Sequence, residues 1–177
     1  MMRVIKGCYL ELRKMNDNEW KEYVRQIIAA DEFYFQYGTN MDEKLLECIQ
    51  TMNPDVVYYS VYLKGKNILI GYVGITPETE NLEIYVFRKY RRRGYGTEAI
   101  RMFCDAYFTE DITGQEETCV IAETLRKNEV SMMLLEKVGF QREAIGMKID
   151  FGVNDDDYQM IGVCRYYRQS EKLCVAV

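Results

Sequence analysis

From residue 88 to residue 97 the chain reads Arg88-Lys-Tyr-Arg-Arg-Arg-Gly-Tyr-Gly-Thr. Arg91, Arg92 and Arg93 stand side by side, and Gly94 and Gly96 follow. These residue types in this order suit an anion. Glycines let a phosphate come close to the backbone, and a helix start offers N–H groups with no intrahelical acceptor plus a partial positive charge. The arginines add full charge beside them. The P-loop string GxxxxGK[ST] is absent. Gly94-Tyr-Gly-Thr-Glu-Ala fits the dinucleotide pattern GxGxxA. That pattern, however, closes directly onto the first strand of its fold, whereas Arg88 to Arg93 intervene here and three or four strands come first. The remaining pattern is RxxGxG, formed by Arg91, Gly94 and Gly96. A nucleic-acid patch is a further reading of the arginines, disfavoured by a net charge of −5.

The elements around this segment must hold it. Leu82-Glu-Ile-Tyr-Val-Phe reads as a strand leading into the basic run. Behind the glycines, Ala99, Ile100, Phe103, Cys104 and Tyr107 share one face of a helix expected over about 96–108. Upstream, residues 7–13 pass as a short strand. Asn16-Asp-Asn then precedes a helix carrying Trp20, Tyr23, Val24, Ile27 and Ile28 on one side. A second helical stretch lies at about 41–51. Val56 to Leu63 and Asn67 to Thr76 form a hairpin around Lys64-Gly-Lys-Asn. Downstream, 118–123 is a strand, 128–137 a helix stopped by Gly139, and 140–150 with 158–168 a final strand pair. The order β-α-α-β-β-β-α-β-α-β-β predicts an α/β (α+β) mixed sheet with helices on it, in a single domain over residues 1–177.

Composition narrows the chemistry. The 177 residues are 48% apolar and 29% charged, an ordinary globular balance. Histidine is absent, which removes Ser-His-Asp triads, Cys-His dyads and every zinc site that uses histidine. The six cysteines, at 8, 48, 104, 119, 164 and 174, form no CxxC pair; they read as reduced core fillers. No metal is expected. No signal-peptide h-region and no membrane-length apolar window is visible, so a cytoplasmic location is expected.

The RxxGxG segment resembles the coenzyme A diphosphate loop of the GNAT acetyltransferase superfamily. Glu83, with Gly94 eleven and Gly96 thirteen residues later, is similar to the branch containing ribosomal-protein N-terminal and spermidine acetyltransferases. The second half agrees. Thr118-Cys-Val-Ile-Ala-Glu, then Asn128-Glu-Val-Ser-Met-Met-Leu-Leu-Glu-Lys-Val-Gly-Phe, resembles that branch's strand and helix with Asn, Ser and a closing Lys-x-Gly-Phe. Phe151-Gly-Val-Asn-Asp-Asp-Asp-Tyr resembles its last hairpin, and the likeness runs over about 56–168.

The resemblance implies a mostly antiparallel sheet whose two central parallel strands, at 82–88 and 118–123, splay apart. The pantetheine arm of acetyl-CoA would lie in the gap like an added strand. Main-chain groups of Val86, Phe87 and Arg88 would meet it. Amides of Arg91, Arg92, Arg93, Gly94, Tyr95, Gly96 and Thr97 would hold the diphosphate. Asn128, Ser131 and Lys137 would lie along the cofactor. Read from the residues alone, Asn128 serves equally as a helix cap, Ser131 as an idle helix position and Lys137 as a C-terminal helix charge. A homodimer is compatible with the resemblance.

Acetyl transfer needs a neutral amine, a partner for the oxyanion and a proton for the leaving thiolate. Without histidine, the base is a carboxylate, a tyrosine or water. Glu83 is the first choice, because its strand leads toward the thioester; burial there raises a carboxyl pKa. Orienting the acceptor's charge, or a purely structural role, is its other reading. Relatives often carry a tyrosine four residues before the helix-ending glycine, and this chain has Leu135 there. Tyr85, Tyr90 and Tyr158 are substitutes for the acid, as is solvent. The acceptor, an N-terminal amine, a polyamine or another small amine, would meet residues 29–40 and the last hairpin. Phe33, Tyr34, Phe35 and Tyr37 read first as core and second as an acceptor wall, and Asp31, Glu32 and Asp155 to Asp157 as a cation-attracting set or as ordinary solvated turns. The alternative is a non-catalytic acyl-CoA-binding regulatory domain.

Overall fold

The computed structural model describes residues 4–29, 57–75, 80–109, 112, 117–151 and 158–170. The expected helix at 41–51, the aromatic run at 33–37 and the acidic turn at 155–157 lie outside these residues.

The N-terminal strand departs from expectation. In place of one strand over 7–13, there are two, β1 (Ile5–Lys6) and β2 (Leu10–Lys14), paired antiparallel. The reversal at Gly7, where the N–H donates to Leu10 O at 2.9 Å, breaks the alternation. Helix α1 (Asp17–Ala29) follows. Asn16 and Glu19 form a reciprocal cap: Asn16 Oδ1 accepts from the N–H groups of Asn18 and Glu19, and Glu19 Oε2 accepts from Asn16 N–H at 2.9 Å. Glu19 also accepts from Ser60 Oγ at 2.9 Å and from the Tyr62 hydroxyl, so the same carboxylate pins α1 to the sheet. Burial and Glu19 together push the Tyr62 phenol up to about 12.

Strands β3 (Val57–Leu63), β4 (Ile68–Ile75) and β5 (Leu82–Val86) continue the sheet in the order β1-β2-β3-β4-β5, every pair antiparallel. The register of β3 with β4 skips Ile70. This bulge inverts the alternation within β4. Ile70 and Val73 therefore enter one hydrophobic cluster, while Leu69 and Tyr72 join the other.

A 3₁₀ turn (Arg88–Tyr90) and a short loop lead to α2 (Tyr95–Tyr107), whose buried Ala99, Ile100, Phe103 and Cys104 pack with Leu12, Val61, Val73 and Leu82. Burying an aliphatic or aromatic side chain of this kind contributes about 1.5–3 kcal/mol. The second sheet has the order β6-β8-β7, from β6 (Cys119–Leu125), β7 (Gln141–Phe151) and β8 (Tyr158–Gln169). Helix α3 (Glu129–Lys137) lies between β6 and β7 in the chain. Gly139 closes it at φ +91°: its N–H donates to Glu136 O, and the Phe140 N–H reaches Leu135 O, both at 3.1 Å. Leu135 and Phe140 are buried together in the main core, the apolar contact that accompanies such a cap.

Among the described residues the two sheets join through one parallel bridge, Asn81 with Ile121. It sits at the very start of β5. Past it, β5 and β6 make no further ladder with each other. The splayed parallel pair expected from the sequence is therefore present.

Candidate active site

The loop at the mouth of this gap has an unusual backbone. Arg91 is extended at φ −65°, ψ 166°, while Arg92 lies at φ +60° and Gly94 at φ +80°. Two left-handed residues within three turn the chain sharply into α2. The second is a glycine, the residue that tolerates this conformation without a Cβ penalty. A Cβ built at Gly94 would meet no atom of the described residues within 4 Å. Among the described residues no side chain caps the α2 N-terminus. The one acid in its first turn, Glu98, is turned elsewhere and accepts from the Tyr9 N–H at 2.7 Å and the Leu10 N–H at 3.3 Å. Arg92 and Arg93 are exposed. Amides, helix dipole and guanidinium groups together suit a dianion.

Gly96 fixes where the loop stands. A Cβ on it would lie 3.4 Å from Leu134 of α3 and 3.9 Å from Val86 of β5. The start of α2 is thus wedged between the end of β5 and the helix that follows β6.

The predicted contacts along the gap divide. The Phe87 N–H donates to Ile70 O at 2.8 Å, toward β4, and its ring is buried with Tyr85. By strand alternation the Val86 peptide groups face away from β4, into the gap. Val86 O there accepts from Arg91 Nε at 2.7 Å. Arg91 also lays its guanidinium 5.2 Å from the Tyr85 ring centroid. Arg88 opens the 3₁₀ turn, and its carbonyl accepts from Arg91 N–H. Asn128 is the N-cap of α3, with Oδ1 accepting from Ser131 N–H at 3.1 Å. Lys137 is exposed in the last turn, and its carbonyl accepts from Arg101 Nη2 at 3.2 Å. Leu135 is 5% exposed and belongs to the core.

Glu83 lies on the α1 side of β5 and is half-buried. Its Oε2 accepts from the Tyr58 hydroxyl at 2.9 Å and the Tyr72 hydroxyl at 3.1 Å. The Tyr72 hydroxyl is in turn 2.7 Å from the Tyr23 hydroxyl. Trp20 stacks on Tyr58 at 5.8 Å, and Tyr85 stacks on Tyr72 at 6.3 Å. Sequence reasoning named Glu83 and Tyr85 but missed Tyr23, Tyr58 and Tyr72. Alternation places Tyr58 and Tyr72 on definite faces of their own strands, yet only the inter-strand register brings them to one carboxylate. The open depression bordered by Cys119, Ile121, Arg165 and Tyr167 is a different feature, and Arg165 in it is paired with Glu143 at 3.1 Å.

A split α/β sheet, with an amide-rich basic loop and a bare helix N-terminus at the split, defines a class of protein that can take a diphosphate-bearing ligand edge-on between two strands. The family comparison makes the class specific. Residues 9–141 match the model described as acetyltransferase (GNAT) domain, and the chain belongs to that family, which uses acetyl-CoA as acetyl donor. Similar solved structures include a GNAT-family acetyltransferase from Bacillus anthracis, with 20% identity and a TM-score of 0.73, covering 94% of this chain and 98% of that one. A ribosomal-protein-S5-alanine acetyltransferase from Vibrio fischeri has 14% identity and a TM-score of 0.67, covering 96% and 97%. RimL, a ribosomal L7/L12 alpha-N-protein acetyltransferase in complex with coenzyme A, has 14% identity and a TM-score of 0.65, covering 94% and 98%. No curated protein sequence matches the chain. At these identities the structures support the fold. No helix among the described residues is long and apolar enough to cross a membrane.

Proposed function

We propose that the chain, as one domain over residues 1–177, transfers an acetyl group from acetyl-CoA to a primary amine by direct attack in a ternary complex. The acceptor is an N-terminal amine, a polyamine or another small amine. The observation that carries this reading is the single Asn81–Ile121 bridge between β5 and β6, with the Arg91–Thr97 loop at its mouth. The resemblance of the loop to a coenzyme A diphosphate site gives the gap its ligand.

In this reading the N–H groups of Gly94, Tyr95, Gly96 and Thr97 hold the diphosphate, with Arg92 and Arg93 adding charge. Arg91 leaves Val86 O, and the Val86 peptide pairs with the pantetheine arm. Asn128 keeps its cap through Oδ1 and offers its amide nitrogen, with Ser131 and Lys137 further along. The thioester is already reactive, so placement supplies much of the acceleration. The amine attacks the carbonyl carbon, and the C–S bond breaks as the tetrahedral adduct collapses. Glu83 accepts the proton that the amine loses. The thiolate takes its proton from Tyr85 or from water. Cys104 is no candidate for a covalent acetyl-enzyme, because burial pushes its thiol up to about 12. Among the described residues Cys8, Cys104, Cys119 and Cys164 are free thiols.

Thioester consumption over a panel of N-terminal peptides, polyamines and small amines tests this function. Turnover on at least one amine, lowered far more by Glu83→Gln than coenzyme A affinity is, is the expected result. Tight coenzyme A binding with no turnover on any amine would support a non-catalytic acyl-CoA-binding domain instead. Sedimentation velocity reads the homodimer that the family resemblance suggests.

A further inference from the structure

Tyr72 is fully buried, and its hydroxyl has one proton. That proton goes to Glu83 Oε2, so the 2.7 Å contact with Tyr23 must run the other way, with Tyr23 donating to Tyr72. The result is a directed chain, Tyr23 to Tyr72 to Glu83, and Tyr58 supplies a second donor to the same carboxylate oxygen. The rings have little freedom to lose these bonds. Tyr23 meets Tyr72 edge-on at 4.0 Å, Tyr58 meets Tyr72 edge-on at 5.3 Å, and Trp20 of α1 stacks on Tyr58.

We propose that Tyr58 and Tyr72, with Tyr23 behind Tyr72, are positioning residues that fix the Glu83 carboxylate in orientation and hold it ionised for the incoming amine. The proposal rests on the reading of Glu83 as the proton acceptor. Two phenol donors on one oxygen stabilise the charged form over the neutral one. In a buried network each donor also polarises the next. Among the described residues, phenols from four elements gather on the Glu83 side of the sheet: Tyr58 from β3, Tyr72 from β4, Tyr23 from α1 and Tyr85 on β5 itself. Arg91 lies beyond the Tyr85 ring, and Glu19, with Tyr62 and Arg13, lies further along the same side of β3.

The test is a carbon-13 NMR titration of the whole chain labelled at glutamate side chains, with the Glu83 resonance identified by its loss in Glu83→Gln. Tyr58→Phe and Tyr72→Phe keep the rings and remove one donor each. The Glu83 titration midpoint should rise by about one pH unit in each. Tyr23→Phe should give a smaller rise, and Tyr62→Phe, whose hydroxyl serves Glu19, none. A midpoint that stays put in both Tyr58→Phe and Tyr72→Phe would overturn the proposal, whatever the variants do to thermal stability. The kinetic arm separates the two readings. With the amine that turns over in the panel, the acid limb of kcat/KM should move with the NMR midpoint. A midpoint that moves while the limb does not would leave the tyrosines as positioning residues and remove Glu83 as the base.

Discussion

Gly94 offers the sharpest perturbation, because strain and charge can be separated there. The residue sits at φ +80°, ψ −4°. A side chain at 94 meets no described atom within 4 Å, so the cost of a substitution is chiefly backbone strain, about 1–2 kcal/mol. In a chain of this length that lowers Tm by roughly 2–8 °C. Gly94→Gln and Gly94→Glu have nearly the same shape and carry the same strain. They differ in one negative charge. Placed about 6 Å from a diphosphate, that charge costs about 2–3 kcal/mol at dielectric values between those of water and a protein surface. The expected difference in coenzyme A Kd is therefore roughly 30- to 150-fold. Calorimetric titration of both variants at low and high salt reads it, and the gap should narrow at high salt. Equal Kd values for the two variants, both folded, would refute the placement of the diphosphate at this loop.

The remaining expectations are less direct. Asn128→Ala removes the cap on α3 and should destabilise the chain by about 1 kcal/mol, read by denaturant unfolding; any loss of coenzyme A affinity is measured separately. Leu135→Tyr should not restore a proton donor, since position 135 is core; overpacking should cost about 1–3 kcal/mol with no gain in turnover. Stability should fall in alkali. Burial raises Cys104 from 9.0 and Tyr62 from 10.0, each to about 12. Both groups keep their protons longer when folded, so their contribution is intact below about pH 9 and is lost as pH rises toward 12. Urea midpoints between neutral pH and mild alkali check the sign.

What the sequence disclosed was local. RxxGxG ahead of an apolar helix face, and Asn-x-x-Ser with Lys-x-Gly-Phe behind a strand, are spacings whose chemistry is contained in one segment. The Gly139 helix stop is of the same kind. The tyrosines at Glu83 are not, because residues 23, 58, 72 and 83 meet only through strand register and the seating of α1. The bulge at Ile70, which sets the faces of β4, leaves no mark in composition. Gly7 ended a strand that its neighbours otherwise favour. In the sequence Arg91 is simply charge for an anion, and the fold shows it also holding the Val86 carbonyl at 2.7 Å. Leu135, where relatives often carry a tyrosine, is buried beside Phe140 as a core residue closing a helix.

A crystal structure grown with coenzyme A tests the account most directly. It should place the diphosphate oxygens within hydrogen-bond distance of the Gly94 to Thr97 amides and a pantetheine amide against the Val86 peptide, with Arg91 Nε released from Val86 O. Coenzyme A bound away from the β5–β6 split, or strands β5 and β6 zipped together beyond Asn81 with the loop empty, would contradict it.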